Sequence, residues 1–193
     1  MIISHKYKFV FIKTRKTGGS TIEKILRPLL GEDDVCTGST RDNTPSLNIQ
    51  SGEDGHKPAF IPKGYWSFSI ERNPWDKVVS SYYFHTQAKP DIFKGFSFET
   101  YIKFILKHKL FLPCDWSIYQ NVEKIYQYTN LKEILIDLND RYNLNIDLDL
   151  LNTIRCKSEF RKVTDYKELH TPTTKALIEK QFKNEIETFN YIY

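Results

Sequence analysis

The sequence has few cysteines, and none of them stands in a pattern that usually carries structure. The three, Cys36, Cys114 and Cys156, are odd in number, far apart, and form no CxxC pair. We therefore expect neither a disulfide framework nor a zinc site, and a reducing compartment fits best. The chain also has no HExxH motif and no cluster of Cys and His, so we expect no metal.

Long apolar runs and a strong net charge are absent as well. No stretch approaches the about 18 apolar residues of a membrane span, and the opening segment MIISHKYKFVF lacks the pattern of a signal peptide. These absences predict a cytoplasmic protein with no membrane span. The formal net charge of +4 is too small to indicate long nucleic acid as a partner, although local clusters of Lys and Arg could hold a smaller anion.

The composition is that of a folded globular protein. Hydrophobic residues make up 40% of the 193 residues and aromatic residues 15%, which excludes a disordered chain. This length suffices to bury one core, so we predict a single domain over 1–193.

The first 30 residues predict a strand, a tight loop and a helix. Residues 7–12, YKFVFI, are apolar on both faces, as expected for a central parallel strand. Apolar side chains then recur at helical spacing from Ile22 to Leu30. Pro28 is expected to kink or end that helix.

The remaining chain repeats the alternation of strands and helices. A long polar excursion over 31–64 comes first, and excursions of this kind are usually functional or disordered. A strand at 65–70 then leads into a helix, and a short strand near 124–128 precedes another. Thr171 and Pro172 are a good N-cap and first-turn pair for a last helix reaching about residue 182. This order predicts a three-layer α/β domain with a central, mainly parallel sheet flanked by helices.

The loop after the first strand has the composition of an anion site. A glycine-rich turn into a helix presents backbone N–H groups at the positive end of the helix dipole. A lysine adds positive charge, hydroxyls add donors, and glycines allow close approach. The six consecutive candidates are Lys16, Thr17, Gly18, Gly19, Ser20 and Thr21. A plain turn with Ser20 as helix N-cap is the alternative, and both can hold because a cap and an anion use the same donors.

A second candidate for phosphate binding follows the second predicted strand. Arg72 ends that strand, and Ser80 follows eight positions later, about two helical turns on. A guanidinium and a hydroxyl could there close on one phosphate. Taken alone, Arg72 could equally form a surface salt bridge and Ser80 be a solvated helix residue.

Together the two elements resemble a known family. The signature of nucleotide triphosphatases places its lysine after the glycines, whereas Lys16 precedes them. KTGGST at 16–21 resembles the K-T-G-G-[ST]-[ST] element of sulfotransferases that use 3′-phosphoadenosine 5′-phosphosulfate (PAPS), and RNPWDKVVS at 72–80 resembles their R-[DN]-P-x(5)-S element, which holds the 3′-phosphate. The resemblance implies a P-loop-like fold and PAPS as the sulfuryl donor.

Further stretches resemble one branch of the family, the carbohydrate O-sulfotransferases related to heparan and uronyl 2-O-sulfotransferases. The segment at 157–182 is similar to the branch's cofactor-closing loop and the helix after it. The resemblance implies that Ser158 contacts the cofactor, with Arg161 and Lys162 as weaker candidates near cofactor or acceptor.

Sulfuryl transfer requires a cation at the leaving oxygen and a proton acceptor for the attacking hydroxyl. The loop places Lys16 to stabilise the leaving oxygen. His56 lies where the branch has its catalytic Gly-His, and histidine offers a pKa near neutrality, so we expect it to be the general base. His85 is the next candidate.

We expect the acceptor to be a carbohydrate or another small molecule, bound by the excursion at 31–64 and the stretch at 87–116. Two alternatives remain at this point. One is a P-loop kinase acting on a nucleotide or another small molecule. The other is a non-catalytic module that binds a nucleotide or a sulfated glycan.

Overall fold

The computed structural model describes residues 1–38, 45–49, 60–109, 115–154 and 160–193. Within these ranges, five strands form one sheet. Their bounds are β1 Ile2–Ser4, β2 Phe9–Phe11, β3 Val35–Cys36, β4 Trp66–Glu71 and β5 Lys124–Gln127.

The sheet is mixed, with the order β3-β1-β2-β4-β5. Strand β4 pairs parallel with β2 and with β5, whereas β1 pairs antiparallel with both β2 and β3. Four of the five strands therefore run in one direction, with only β1 reversed. The mainly parallel sheet expected from the sequence agrees with this arrangement.

Helices connect the strands. Their bounds are α1 Gly19–Leu26, α2 Pro74–Ala88, α3 Pro90–Phe93, α4 Phe98–His108, α5 Trp116–Tyr119, α6 Lys132–Tyr142, α7 Leu150–Thr153, α8 Pro172–Gln181 and α9 Lys183–Thr188. A sheet with flanking helices confirms the predicted α/β class. None of the helices in the described residues is sufficiently long and apolar for a membrane span.

Most elements lie where their sequence patterns predicted them. Helix α1 ends at Leu26, and Pro28 lies in the 3₁₀ turn Arg27–Leu29 that follows. The sequence patterns did not predict two short strands, β1 with three residues and β3 with two. Strand β3 lies inside the excursion at 31–64, so the described part of that excursion is not wholly irregular.

The chain divides into two compact units. Unit 1 comprises Met1–Glu71 and Ser117–Cys156, and unit 2 comprises Arg72–Trp116 and Lys157–Tyr193. The prediction of one domain over 1–193 stays a prediction.

Unit 1 contains the sheet and a large apolar cluster. In this cluster the ring of Phe68 lies 6.1 Å from that of Phe9 and 5.0 Å from that of Phe11. Helices α1 and α6 contribute Ile22 and Leu135 to the same cluster. Strand β4 is buried along its whole length, which is why its sequence lacks an exposed polar face.

Asp34 organises the connection between β1 and β2. Its carboxylate accepts hydrogen bonds from the backbone N–H groups of His5, Lys6 and Gly31 and from the hydroxyl of Ser4, at 2.7–3.0 Å. Burial raises the pKa of Asp34, but these donors outweigh it, so the net pKa is lowered. The charged carboxylate therefore replaces regular pairing at this turn.

Unit 2 consists of helices packed around a second cluster. Trp75 and Val79 from α2, Tyr101 from α4 and Ile178 from α8 are all buried there. Helices α2 and α8 start at side-chain caps. The Asn73 side chain accepts hydrogen bonds from the first turn of α2. Thr171 caps α8, as its sequence position predicted, and it does so through a reciprocal capping box with Thr174.

Candidate functional site

The loop at 16–21 belongs to unit 1 and leads from β2 into α1. Its backbone bends sharply, because Lys16 has φ of 62° and Gly18 has φ of 81°. Gly18 is the N-cap of α1 and makes no side-chain cap bond, so the alternative that Ser20 caps the helix is wrong. Helix α1 therefore starts on bare backbone, which suits the approach of an anion.

Both glycines of the loop pack closely against other side chains. A Cβ on Gly18 would lie 3.1 Å from Leu131 Cδ1 and 3.2 Å from Tyr128 Cε2. A Cβ on Gly19 would lie 2.8 Å from Lys13 Cγ. The loop is thus held in place on its inner side by the start of α6 and the turn before it.

Thr17 points its hydroxyl inward. It is fully buried, and its Oγ1 lies 2.8 Å from Thr14 Oγ1. Thr14 in turn donates to the backbone oxygen of Ile70, near the end of β4. Toward a ligand Thr17 therefore offers its backbone N–H. Thr14, which sequence analysis missed, ties the loop to the neighbouring parallel strand.

An ion pair neutralises the acid nearest this loop in sequence. Glu23 of α1 pairs with Lys13 and with the Met1 ammonium group. Burial raises the pKa of Glu23, but Lys13 and the Met1 amino group outweigh burial and lower it. Burial also lowers the pKa of the Met1 amino group to about 6, so Lys13 is the lasting cation of this pair at neutral pH. The carboxylate is thus charged and compensated inside unit 1.

Unit 2 brings together two arginines that the sequence assigned to the cofactor separately. Arg72 Nε lies 2.6 Å from Asp76 Oδ2, and Arg161 Nη1 donates to the other oxygen, Oδ1. Arg161 also donates to the backbone oxygens of Val163, at 2.6 Å, and Thr164, at 2.9 Å. One carboxylate therefore orients both guanidinium groups.

Asp76 is the residue of this cluster that sequence analysis missed. Its spacing from Arg72, i to i+4, was the available signal, since such pairs meet across the start of a helix. The bond to Arg161 spans 85 positions and carries no local signal. Ser80, predicted to act with Arg72, lies half-buried on α2.

Of the two candidate bases, the structure describes only His85. It is buried in unit 2, and its Nδ1 lies 2.8 Å from Tyr101 Oη and 3.3 Å from Ser81 Oγ. Burial also raises the pKa of Tyr101, so this phenol keeps its proton. His85 therefore takes part in a hydrogen-bond network inside unit 2. His56 and Ser158 lie outside the described residues, and their roles stay predictions.

Acidic and metal-binding side chains do not gather elsewhere in the ranges that the structure covers. Within them, no three His, Cys, Asp or Glu side chains are placed to hold a metal ion.

Comparison with known proteins identifies the family. A family model described as "Sulfotransferase family" matches residues 1–192. A search of curated proteins found no match. Because this family model covers nearly the whole chain, the chain belongs to the sulfotransferase family.

Proposed function

We propose that this protein transfers the sulfuryl group of PAPS to a hydroxyl of an acceptor, most simply a carbohydrate. Membership of the family supports sulfuryl transfer in general, and sulfotransferases generally use PAPS. The observation that carries the donor assignment is the shared bond of Arg72 and Arg161 to Asp76. Arg72 and Arg161, which were both expected at the cofactor, therefore belong to one local cluster.

In this proposal the loop at 16–21 binds the 5′-phosphosulfate. The backbone N–H groups from Thr17 to Ser20 and the hydroxyls of Ser20 and Thr21 serve as donors. Gly18 and Gly19 provide the open backbone. The 3′-phosphate is bound by Arg72 and Ser80, with Arg161 and Ser158 contributing from the C-terminal segment.

The chemical step follows from the same assignment. His56 takes the proton of the acceptor hydroxyl as its oxygen attacks sulfur in line. A new S–O bond forms while the bond from sulfur to the bridging phosphate oxygen breaks. Lys16 stabilises the negative charge that develops on that oxygen, and the backbone donors share it. The products are the sulfate ester of the acceptor and adenosine 3′,5′-bisphosphate.

Transfer of labelled sulfate from PAPS to a panel of sugars, lipids and phenols tests the proposal directly. We expect His56→Ala to abolish transfer while leaving binding of adenosine 3′,5′-bisphosphate intact. Arg72→Gln should weaken binding of the bisphosphate by about tenfold or more, with a much smaller effect on AMP, which lacks the 3′-phosphate.

Other outcomes point to the other functions. Stabilisation by ATP but not by the bisphosphate would indicate a kinase and contradict the proposal. Binding of the bisphosphate with no transfer to any acceptor, and no effect of His56→Ala, would indicate a non-catalytic module.

A further inference from the structure

Unit 2 contains a cavity that is not lined by Arg72, Ser80 or Arg161. Its volume is about 660 Å³, within the range of about 300–1,000 Å³ that is typical of small-molecule sites. Its walls come from the second half of α2, the turn between α3 and α4, and one residue of the C-terminal segment. The lining residues are Tyr82, Tyr83, Thr86, Gln87, Phe93, Lys94, Gly95, Phe96, Ser97 and Lys162.

Several polar groups of this cavity are already used inside the protein. Tyr82 donates its hydroxyl to the backbone oxygen of Phe96 at 2.9 Å. The hydroxyl of Thr86 bonds back to its own helix. Ser97 caps α4. These groups shape the walls and contribute little to recognition.

The remaining polar groups are mostly donors, and two of them are cations. Lys94 and Lys162 are exposed, and no carboxylate among the described residues forms an ion pair with either. Gln87 donates its amide to the backbone oxygen of Phe160, which leaves its carbonyl oxygen as an acceptor. Two lysines in the lining of one cavity favour an anionic ligand.

Tyr83 adds a neutral donor and an aromatic face. It is half-buried, and its ring lies 5.3 Å from that of Tyr82. Burial raises the pKa of Tyr83, with Tyr82 and Glu168 acting in the same direction and Arg161 opposing them. The hydroxyl therefore keeps its proton at neutral pH. Aromatic faces beside hydrogen-bonding groups suit the mixed apolar and hydroxyl-bearing surface of a sugar ring.

We propose that this cavity binds a saccharide that carries a carboxylate or sulfate group, with Lys94 and Lys162 at the anion and Tyr83 at the ring. That an organic anion binds here follows from the cavity itself. That the anion is a saccharide, and serves as the acceptor, rests on the proposed function. The proposal also gives the stretch at 87–116, which was expected to shape the acceptor pocket, specific contact residues.

Titration of the full chain without donor tests the proposal, followed by amide signals in ¹⁵N–¹H spectra. The probes are D-glucuronate, D-glucose 6-sulfate, D-glucose and sodium sulfate. We expect the two charged sugars to shift the amides of Thr86, Gly95 and Ser97, with affinity about tenfold above that of glucose or of sulfate alone. Equal shifts by glucose, equal shifts by sodium sulfate, or shifts confined to other residues would each overturn the proposal.

Variants with a matched control complete the test. Lys94→Gln/Lys162→Gln should lower the affinity for the charged sugars about tenfold. Lys107→Gln/Lys180→Gln changes the net charge of unit 2 equally at exposed positions away from the cavity lining, and should leave the affinity unchanged. Equal losses in both double variants would indicate a general charge effect and overturn the assignment.

The same samples separate this proposal from the proposed function. Binding of adenosine 3′,5′-bisphosphate is measured by calorimetry on the wild type and on both double variants. If the charged sugars bind at the cavity and the bisphosphate binds nowhere, the donor assignment fails and the cavity assignment stands. If the bisphosphate binds and the sugars do not, only the cavity assignment fails.

Discussion

At the scale of single residues, the two adjacent glycines of the loop serve different purposes. Gly18 needs its positive φ and also lies against Leu131 and Tyr128. Gly19 has no positive φ, and its nearest neighbour is Lys13 Cγ. A Cβ on Gly19 would require the Lys13 side chain, which pairs with Glu23, to move, whereas a Cβ on Gly18 meets packed groups in a strained conformation.

Gly18→Ala should accordingly lower the free energy of unfolding more than a substitution that introduces only backbone strain. Gly64 supplies the control, because it has the same φ of 81° in the same unit and nothing within 4 Å of a Cβ. We expect Gly64→Ala to lower the free energy of unfolding by about 1 kcal/mol, and Gly18→Ala by about 1 kcal/mol more. Urea denaturation measures both. Equal losses would mean that the contacts with Leu131 and Tyr128 are unimportant.

Asp76 is the second residue whose role depends on its neighbours. Its partner Arg72 is only 6% exposed, so removal of the carboxylate charge leaves a buried cation without this compensation. We expect Asp76→Asn to lower the free energy of unfolding by about 2 kcal/mol, as measured by urea denaturation at pH 7.

Asp91→Asn is the control for this prediction, since Asp91 is an exposed acid of unit 2 on α3. We expect it to change the free energy of unfolding by less than about 0.5 kcal/mol. A loss in Asp76→Asn no larger than in the control would contradict the role of Asp76 in orienting the arginines.

At the scale of elements, helix α8 is held to α2 through its first turn. His170 precedes α8, with Nε2 3.2 Å from the backbone oxygen of Trp75 and Nδ1 3.3 Å from Thr174 Oγ1. Its ring packs edge-on against Phe98 and Tyr193. This one side chain thus connects the starts of α2, α4 and α8.

The environment of His170 makes unit 2 sensitive to acid. Burial lowers the pKa of His170 below its usual 6.5, and its bond to the Trp75 carbonyl only partly opposes this. The unfolded chain therefore binds more protons than the folded one, so the free energy of unfolding falls as the pH drops below 6.5. We expect the difference in this free energy between pH 7 and pH 5 to be smaller in His170→Gln than in the wild type.

His108→Gln, which removes an exposed histidine of α4, is the matched variant for this measurement. We expect it to keep the pH dependence of the wild type. Identical pH dependence in the wild type and in His170→Gln would refute the contribution of His170.

At the scale of the whole molecule, the two clusters proposed to bind the bisphosphate belong to different units. The loop at 16–21 lies in unit 1, and Arg72, Ser80 and Arg161 lie in unit 2. A single bisphosphate bound by both clusters, as proposed, must therefore protect both units, because opening of either one releases the ligand.

Hydrogen exchange distinguishes a shared ligand from one held by a single cluster. Saturating adenosine 3′,5′-bisphosphate should slow amide exchange both at the start of α1 and at the start of α2. AMP should slow exchange at the start of α1 but have little effect on exchange at the start of α2. Protection of one unit alone by the bisphosphate would contradict a donor shared by the two clusters.

Local patterns accounted for much of this protein. The glycine loop lies between a strand and a helix, as the segment KTGGST predicted. Thr171 and Pro172 start α8 because cap chemistry involves only neighbouring residues. Strands β1 and β3 went unpredicted, because two or three residues are too few for a periodic pattern to be recognised. The inward-pointing hydroxyl of Thr17 was unpredictable for a different reason: its partner Thr14 is bonded to another strand.

By itself the sequence determined the family and the α/β class, because both depend on residue types at short, fixed spacings. Only the tertiary structure decided that Asp76 joins Arg72 to Arg161, that Gly18 lies against Tyr128, and that two lysines from distant segments line one cavity. These pairings depend on which surfaces pack together when the chain folds. That outcome is set by the burial of apolar surface across the molecule and not by any local pattern.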